Sequence, residues 1–141
     1  MMNIFLDDIR TPKMAHNESK GLGQAYSDAS IWTVARTYDE FVEIVDREFG
    51  NIQMISFDHD LACFDDDGRE MTGKNAADYV INKCLDEGAS FPKDWYVHSD
   101  NTSGRQNIVG AILNYLDKIE GKDISGVRKD AKGIVGGKAA L

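Results

Sequence analysis

The sequence predicts a single α/β domain with one doubly wound, mainly parallel sheet and helices on both of its faces. Short apolar runs alternate with segments whose apolar residues recur at helical spacing, in the order strand, strand, helix, strand, helix, strand, helix. The chain has 141 residues, about the size of one domain, and 42% of them are hydrophobic. Both observations favour one core over two domains with a cleft between them.

Each predicted element has a local signal. The strands are short apolar runs that end in polar residues, and the helices begin at a capping residue and end at a glycine. Thr37 and Glu40 match a capping box before the first helix, and Thr72 is the expected N-cap of the second. The predicted strands cover 3–6, 31–35, 52–57 and 95–97, and the predicted helices cover 38–49, the segment from Thr72 to Gly88, and the segment from Asn101 to Glu120.

Two segments lack a regular pattern. The polar stretch 11–30 predicts a long loop, for which a binding loop or lid and a plain flexible excursion are equally good interpretations. Residues 121–141 hold 5 of the 13 glycines and no aromatic residue. We expect one α/β domain at 1–120 and a flexible or weakly docked tail at 121–141, in preference to a final strand near Ile134 and Val135.

Charge and composition exclude several function classes. Residues 1–120 carry a net charge of −11, so a general nucleic-acid-coating protein is not expected. The chain has no apolar run of 18 residues, and the acidic pair Asp7 and Asp8 follows the first apolar run too soon for a secretory signal. Cys63 and Cys84 have no CxxC partner and are expected to be reduced thiols. These features favour a cytoplasmic protein without membrane contact.

Polar side chains follow three of the predicted strands at the point where each strand ends. Because ligands of open α/β sheets bind at the carboxyl ends of the strands, we expect these side chains to form one site rather than independent loop starts. A cation, Arg10 or a raised carboxyl pKa must relieve the repulsion among the acids. Mg²⁺ or Mn²⁺ suits oxygen ligands, whereas imidazoles suit transition metals or proton transfer, so the need for a metal stays open. The residues at these strand ends are Asp7, Asp8, Asp58, His59, Asp60, His98, Ser99, Asp100 and Asn101.

His59 and His98 are the candidates for acid and base catalysis, because imidazole changes charge near neutral pH without strong perturbation. The third histidine, His16, is expected at the surface. The start of the last predicted helix offers free N–H groups and the positive end of the helix dipole to an anion, although ordinary helix caps explain such starts equally well. The residues expected to bind the ligand are Ser99, Asn101, Thr102, Gly104, Arg105 and, at the preceding helix, Thr72.

Five short motifs in this order resemble the family of cyclic-phosphate-processing receiver-like domains, which are relatives of response-regulator receiver domains. The resemblance covers residues 3 to about 116. The motifs are LDDIRTP at 6–12, VARTYDE at 34–40, ISFDHDL at 55–61, TG at 72–73, and VHSDN at 97–101 followed by Gly104 and Asn107.

The resemblance implies a receiver-like, flavodoxin-like fold whose phosphoacceptor pocket has become a site for cyclic phosphates. It implies that Asp7 and Asp8 match the metal-binding acidic pair of receivers, that Asp58 stands at the phosphorylated aspartate, and that Ser99 lies near their Ser/Thr position. The receiver's lysine on a fifth strand has no evident counterpart. Compared with receivers, the cyclic-phosphate family has two additional histidines at strand ends, which His59 and His98 match. The candidate metal ligands are Asp7, Asp8, Asp58 and Asp60.

The leading hypothesis is a phosphoesterase, a hydrolase that opens a cyclic phosphate of a nucleotide or nucleotide-derived small molecule. One imidazole would deprotonate water and the other would protonate the leaving oxygen, with Asp58 and Arg10 beside them. The alternative is a non-enzymatic receiver-like module that binds a nucleotide or accepts phosphate on Asp58. A third hypothesis is a metal-dependent hydrolase of another phosphoester with His59 and Asp60 as ligands. The expected partner is a small cyclic-nucleotide-like ligand, and the sequence does not fix the oligomeric state.

Overall fold

A computed structural model describes residues 1–18, 26–125, 127 and 135–138 of the chain. Its strands and helices alternate along most of the sequence. None of the described helices is long and apolar enough to span a membrane. In chain order the elements are β1 (Met2–Leu6), α1 (Pro12–Glu18), β2 (Trp32–Ala35), α2 (Tyr38–Glu48), β3 (Ile52–Phe57), β4 (Cys63–Phe64), β5 (Glu70–Met71), α3 (Gly73–Glu87), β6 (Asp94–Val97), α4 (Thr102–Lys118) and β7 (Val135–Lys138).

The main sheet has five strands in the order β2-β1-β3-β6-β7, and β4 pairs with β5 in a separate antiparallel hairpin. The first four strands of the sheet run parallel, with Phe5 opposite Val34 and Ser56, and Phe57 opposite Val97. The predicted mainly parallel α/β sheet is therefore confirmed. The chain adds β2 on one side of β1 and β3 on the other, which opens a crevice beyond the carboxyl ends of β1 and β3.

Alternate residues of the strands pack on opposite faces of the sheet. On one face Ile4 and Ile55 belong to the larger apolar core, which α2, α3 and α4 cover. On the other face Phe5 packs with Tyr26 and with Ala15, a residue of α1. Helices thus cover both faces, as the sequence predicts. Among the described residues, the second face is covered by α1, which is much shorter than the helices on the first face.

The helix ends follow local chemistry. Thr37 Oγ1 accepts the backbone N–H of Glu40 at 3.1 Å, as an N-cap should. The carboxylate of Glu40 accepts the N–H of Arg36 at 3.0 Å, one residue earlier than in a standard capping box. At the end of α3, Gly88 adopts a φ of +64°, the left-handed conformation in which helices commonly stop. Thr72 is the N-cap of α3, as predicted.

Part of the predicted loop 11–30 is helical, which corrects that expectation. Pro12 opens α1, where its fixed φ suits the first helical turn and its missing N–H costs nothing. A 3-10 turn covers Ala29–Ile31, and residues 19–25 lie outside the described part of the chain. His16 belongs to α1 and is half-buried.

At the other end of the chain, β7 pairs antiparallel with β6, so that Gly137 lies opposite Trp95 and Lys138 opposite Asp94. At these four residues the chain forms a final strand, the alternative to the expected loose tail. Gly136 and Gly137 weaken the strand signal, because glycine has low β propensity. The residues of 121–141 other than 121–125, 127 and 135–138 lie outside the described part of the chain.

Candidate active site

Three of the predicted polar residues meet at the carboxyl edge of the sheet. Asp7, Asp58 and His98 follow β1, β3 and β6 directly, and one ligand atom of each lies within 4.8 Å of the others. Their backbone N–H groups extend the sheet pairing by one residue: Asp7 donates to Ala35 at 3.0 Å, Asp58 to Leu6 at 2.9 Å and His98 to Phe57 at 2.9 Å. All three are buried, with relative exposures of 0%, 5% and 3%. The sheet itself therefore fixes this inner cluster.

Asp7 is held as a carboxylate by four groups. Its Oδ1 accepts the backbone N–H groups of Ile9 at 2.9 Å and Arg10 at 2.7 Å, and its Oδ2 lies 2.9 Å from His98 Nε2. The Arg10 guanidinium is 3.7 Å from the same Oδ2. Burial alone would raise the pKa of Asp7, but the hydrogen bonds from His98, Arg10 and Ile9 outweigh it and hold the pKa below its usual value.

Asp58 has the opposite environment. Its Oδ1 accepts one backbone N–H, that of His59 at 2.9 Å. Burial raises the pKa of Asp58 to about 6, and the negative charge of Asp7 adds to the shift. The site thus places one ionised carboxylate beside one that holds its proton more tightly. The predicted relief of repulsion by a raised pKa and by Arg10 is present in this geometry.

The start of α3 packs unusually close to Asp58. Gly73 N donates to the carbonyl oxygen of His59 at 2.8 Å. A Cβ at Gly73 would lie 1.7 Å from the carbonyl oxygen of Asp58, far inside contact distance. A glycine is therefore required here, which gives the TG motif at 72–73 a physical reason.

His98 is held from both sides. Its ring stacks on Phe5, with centroids 4.4 Å apart and planes at 9°. Its Nδ1 lies 2.7 Å from Ser56 Oγ, which in turn lies 2.6 Å from the Tyr26 hydroxyl. Neither Ser56 nor Tyr26 is a predicted site residue. The one available signal is a lone hydroxyl, Ser56, in the apolar run of β3, because a buried hydroxyl needs a partner.

His59 lies at the mouth of the site, against the first turn of α4. Its Nδ1 is 2.7 Å from Asp60 Oδ1, and Asn101 Nδ2 donates to both carboxylate oxygens of Asp60 at 3.3 Å. Asn101 also caps α4, since its Oδ1 accepts the N–H of Gly104 at 2.8 Å. A Cβ at Gly104 would lie 2.3 Å from Cγ of the His59 ring. Gly104 therefore makes room for His59.

Two arginines connect the loops of this edge. Arg10, beside Asp7, also donates to Asp100 and so bridges the loops that follow β1 and β6. Arg36 Nη1 donates to the carbonyl oxygens of Asp7 at 3.2 Å and Arg10 at 2.7 Å. Arg36 is part of a family motif but was not a predicted site residue. Its position directly after a buried strand is the signal that would have indicated it.

The other predicted ligand-binding residues have mainly local partners. Ser99 is buried, its Oγ accepts the N–H of Asn101 at 3.1 Å, and its carbonyl oxygen accepts Arg105 Nη1 at 2.9 Å. Thr102 is exposed at the start of α4. The N–H of Thr72 donates to Asn75 Oδ1 at 2.8 Å. Their roles in ligand binding stay predictions.

Two carboxylates and an imidazole form a donor set that fits a divalent cation. Among the described residues this set consists of Asp7, Asp58 and His98, and it contains neither Asp8 nor Asp60. Asp8 is half-buried and Asp60 is exposed. Oxygen ligands from Asp7 and Asp58 suit Mg²⁺ or Mn²⁺, and His98 could join them only through a deprotonated Nε2.

A family model described as a cyclic-phosphate processing receiver domain matches residues 2–114. The match runs from β1 into α4 and includes every residue of the inner cluster and of the His59 surroundings. It confirms the resemblance drawn from the five motifs. Comparisons with curated proteins and with solved structures found no match.

Proposed function

This chain belongs to the family of cyclic-phosphate processing receiver domains, and from that premise we propose that it is a phosphoesterase for a cyclic phosphate of a nucleotide or nucleotide-derived small molecule. One observation carries the proposal: the buried contact between His98 and Asp7, beside Asp58. Transfer of phosphate to an aspartate needs no imidazole. Hydrolysis needs a group that takes a proton from water and a second that donates to the leaving oxygen.

Anion binding in an acidic site requires local positive charge. Arg10 supplies a guanidinium between Asp7 and Asp100, and the exposed Asp100 is the partner that a phosphate would replace most easily. The N-terminus of α4 adds the positive end of its dipole close to His59. These two groups support binding of the phosphoryl oxygens.

In the proposed reaction a water oxygen bonds to phosphorus while the ester bond within the cyclic phosphate breaks. His59 and His98 are the candidate proton acceptor and donor, and the product is a phosphomonoester for a cyclic monophosphate. Arg10 stabilises the charge that grows on the phosphoryl oxygens. Asp7 and Asp58 would hold Mg²⁺ or Mn²⁺, which when bound supplies further positive charge to those oxygens.

A second candidate function is phosphate acceptance on Asp58, because the resemblance sets this buried carboxyl at the phosphoacceptor position. The register of β7 argues against it. The strand runs antiparallel, so Lys138 lies opposite Asp94, at the end of β6 remote from His98. The lysine that receivers carry on a fifth parallel strand thus has no counterpart on β7.

Phosphorus NMR with 2′,3′-cyclic, 3′,5′-cyclic and cyclic-dinucleotide phosphates tests the proposal, with each compound run in Mg²⁺, in Mn²⁺ and in chelator. Conversion of a cyclic resonance to a monoester or linear diester is expected. No conversion of any compound, with a shift or broadening of one, would contradict the enzyme proposal in favour of a binding module. A base-labile mass gain from a small phosphodonor, lost in Asp58→Asn, would support phosphate acceptance instead.

A further inference from the structure

We propose that the two imidazoles of the site are held as opposite tautomers, with His59 as the base and His98 as a fixed N–H donor to Asp7. Tyr26 and Ser56 are the positioning residues of His98, and Asp60 is that of His59. The division of roles rests on the proposed function, whereas the tautomers follow from the contacts alone.

The hydrogen-bond chain begins at Tyr26. This side chain is 1% exposed, and its hydroxyl lies 2.6 Å from Ser56 Oγ. Burial raises the pKa of Tyr26 well above its usual value, so the phenol keeps its proton. A buried O–H without an acceptor is unfavourable, and among the described residues Ser56 is the acceptor within reach. Tyr26 therefore donates to Ser56.

Ser56 in turn donates its hydroxyl proton to His98. With one lone pair of Ser56 taken by Tyr26, its own hydroxyl proton has His98 Nδ1 as acceptor at 2.7 Å. Nδ1 then carries a lone pair, and the ring proton of the neutral imidazole is on Nε2. Nε2–H donates to Asp7 Oδ2 at 2.9 Å, and an ionised carboxylate can only accept. Both ends of the chain thus select the same tautomer.

The spacing of Ser56, His98 and Asp7 matches that of a nucleophilic triad, but Ser56 does not fit the role of nucleophile. Its relative exposure is 0%, and its hydroxyl lies on the sheet face that Tyr26 covers. No substrate can reach it there. The hydroxyl acts instead on the ring that it contacts.

His59 has the reverse arrangement. Asp60 Oδ1 lies 2.7 Å from His59 Nδ1. Asp60 is exposed and Asn101 Nδ2 donates to both of its oxygens at 3.3 Å, as to a carboxylate, which accepts from Nδ1. Nδ1 therefore carries the proton, and Nε2 of the neutral ring keeps the lone pair that a general base needs.

The division of roles keeps the reaction balanced. His59 Nε2 takes one proton from the attacking water and returns it to solvent. The one N–H of neutral His98 is engaged by Asp7 Oδ2, so His98 fixes Asp7 and is not the acid of the two imidazoles. The leaving oxygen takes its proton from solvent. Both imidazoles end as they began.

Nitrogen NMR of the full chain labelled with ¹⁵N-histidine tests the tautomers independently of any activity. Long-range proton–nitrogen spectra at about pH 8 distinguish a nitrogen that carries a proton from one that does not. The signals are assigned with His16→Gln, His59→Gln and His98→Gln. We expect the proton on Nε2 of His98 and on Nδ1 of His59. The same tautomer at both residues, or the reverse pair, would overturn the proposal.

Variants of the chain test the positioning residues. Ser56→Ala should shift the His98 Nδ1 signal strongly, and Tyr26→Phe, which keeps the ring, should shift it less. Neither should move the His59 signals. Tyr96→Phe is the matched control, since this ring lies 6.0 Å from that of Tyr26 on the same sheet face. An unchanged His98 signal in Ser56→Ala, or an equal shift in Tyr96→Phe, would contradict the hydrogen-bond chain from Tyr26 through Ser56 to His98.

Kinetics supply the second readout. With a cyclic phosphate that the protein opens, Tyr26→Phe should lower kcat about tenfold and leave KM unchanged, because the contact between His98 and Asp7 shifts while binding does not change. An unchanged kcat would show that Tyr26 is not a positioning residue of His98. If no cyclic phosphate is opened although the tautomers are as expected, the proposed function fails and the assignment of tautomers stands.

Discussion

His98 Nε2 lies 2.9 Å from Asp7 Oδ2, although the two residues are 91 positions apart in the chain. The parallel register of β1, β3 and β6 produces this contact, since it brings the carboxyl ends of all three strands to one edge. A slip of β6 by one residue would turn His98 to the other face of the sheet. The register of the sheet is therefore part of the site.

The first prediction concerns Asp58 and stability. Its folded-state pKa of about 6 lies above the ordinary 3.8, so the folded protein binds this proton more tightly than the unfolded chain does. The associated stability is complete below about pH 4 and is lost as the pH rises through 6. Asp58→Asn should therefore raise the free energy of unfolding by about 2 to 3 kcal/mol at about pH 7.5. Urea unfolding in chelator measures this change in the free energy of unfolding.

The gain in Asp58→Asn should disappear at about pH 4, where both states of the wild-type chain are protonated. Asp86→Asn, a change at an exposed aspartate, is the control and should have little effect at either pH. A loss of stability in Asp58→Asn at neutral pH would contradict the raised pKa.

The second prediction compares two glycines of α4. Gly104→Ala places a methyl group 2.3 Å from the His59 ring and should displace it, which lowers cyclic phosphate hydrolysis by about a hundredfold. Nothing lies within 4 Å of a Cβ at Gly110. Gly110→Ala should therefore keep full activity and stabilise the helix by about 0.5 to 1 kcal/mol. Equal activity of the two variants would show that the close contact at Gly104 has no functional role.

The third prediction concerns the Arg10 guanidinium. Arg10→Gln removes the proposed phosphate contact and should weaken binding of inorganic phosphate about tenfold. Asp100→Asn removes the carboxylate that competes for Arg10 and should strengthen phosphate binding about threefold. Calorimetric titration with phosphate measures both. Weaker binding in Asp100→Asn would mean that Asp100 orients Arg10 rather than competing with the ligand.

The fourth prediction concerns the metal. If Asp7 and Asp58 hold a divalent cation, Mn²⁺ should raise the melting temperature of the wild-type chain, and Asp58→Asn should lose most of that increase. Asp8 lies outside the inner cluster, so Asp8→Asn should keep more of the increase than Asp58→Asn. Thermal unfolding with Mn²⁺ and with chelator tests this. Complete loss in Asp8→Asn and none in Asp58→Asn would restore the acidic pair as the main ligand set.

The meeting of three polar side chains at one sheet edge was predictable because it depends on local patterns. Apolar runs that end in Asp7, Asp58 and His98 indicate three strand ends, and parallel strands bring such ends to one edge. The prediction needed no knowledge of the strand order. The helix starts at Thr37 and Thr72 were equally local.

The contacts that hold the side chains of the site in place were not predictable in the same way. Tyr26 lies in a stretch without periodicity, and its contact with Ser56 depends on how that stretch folds back over the sheet. Arg36 can donate to the carbonyl oxygens of Asp7 and Arg10 only when the loop after β1 is folded. Both contacts depend on tertiary structure, for which a single sequence holds no periodic signal.

The most direct test of the account is the rate of cyclic phosphate opening, followed by phosphorus NMR, in the wild type and in three folded histidine variants. We predict that His59→Gln and His98→Gln each slow the reaction by about a hundredfold or more, because the first removes the proposed base and the second removes the ring that holds Asp7. His16→Gln, on α1, should react at the wild-type rate. Full hydrolysis by both His59→Gln and His98→Gln would contradict the account.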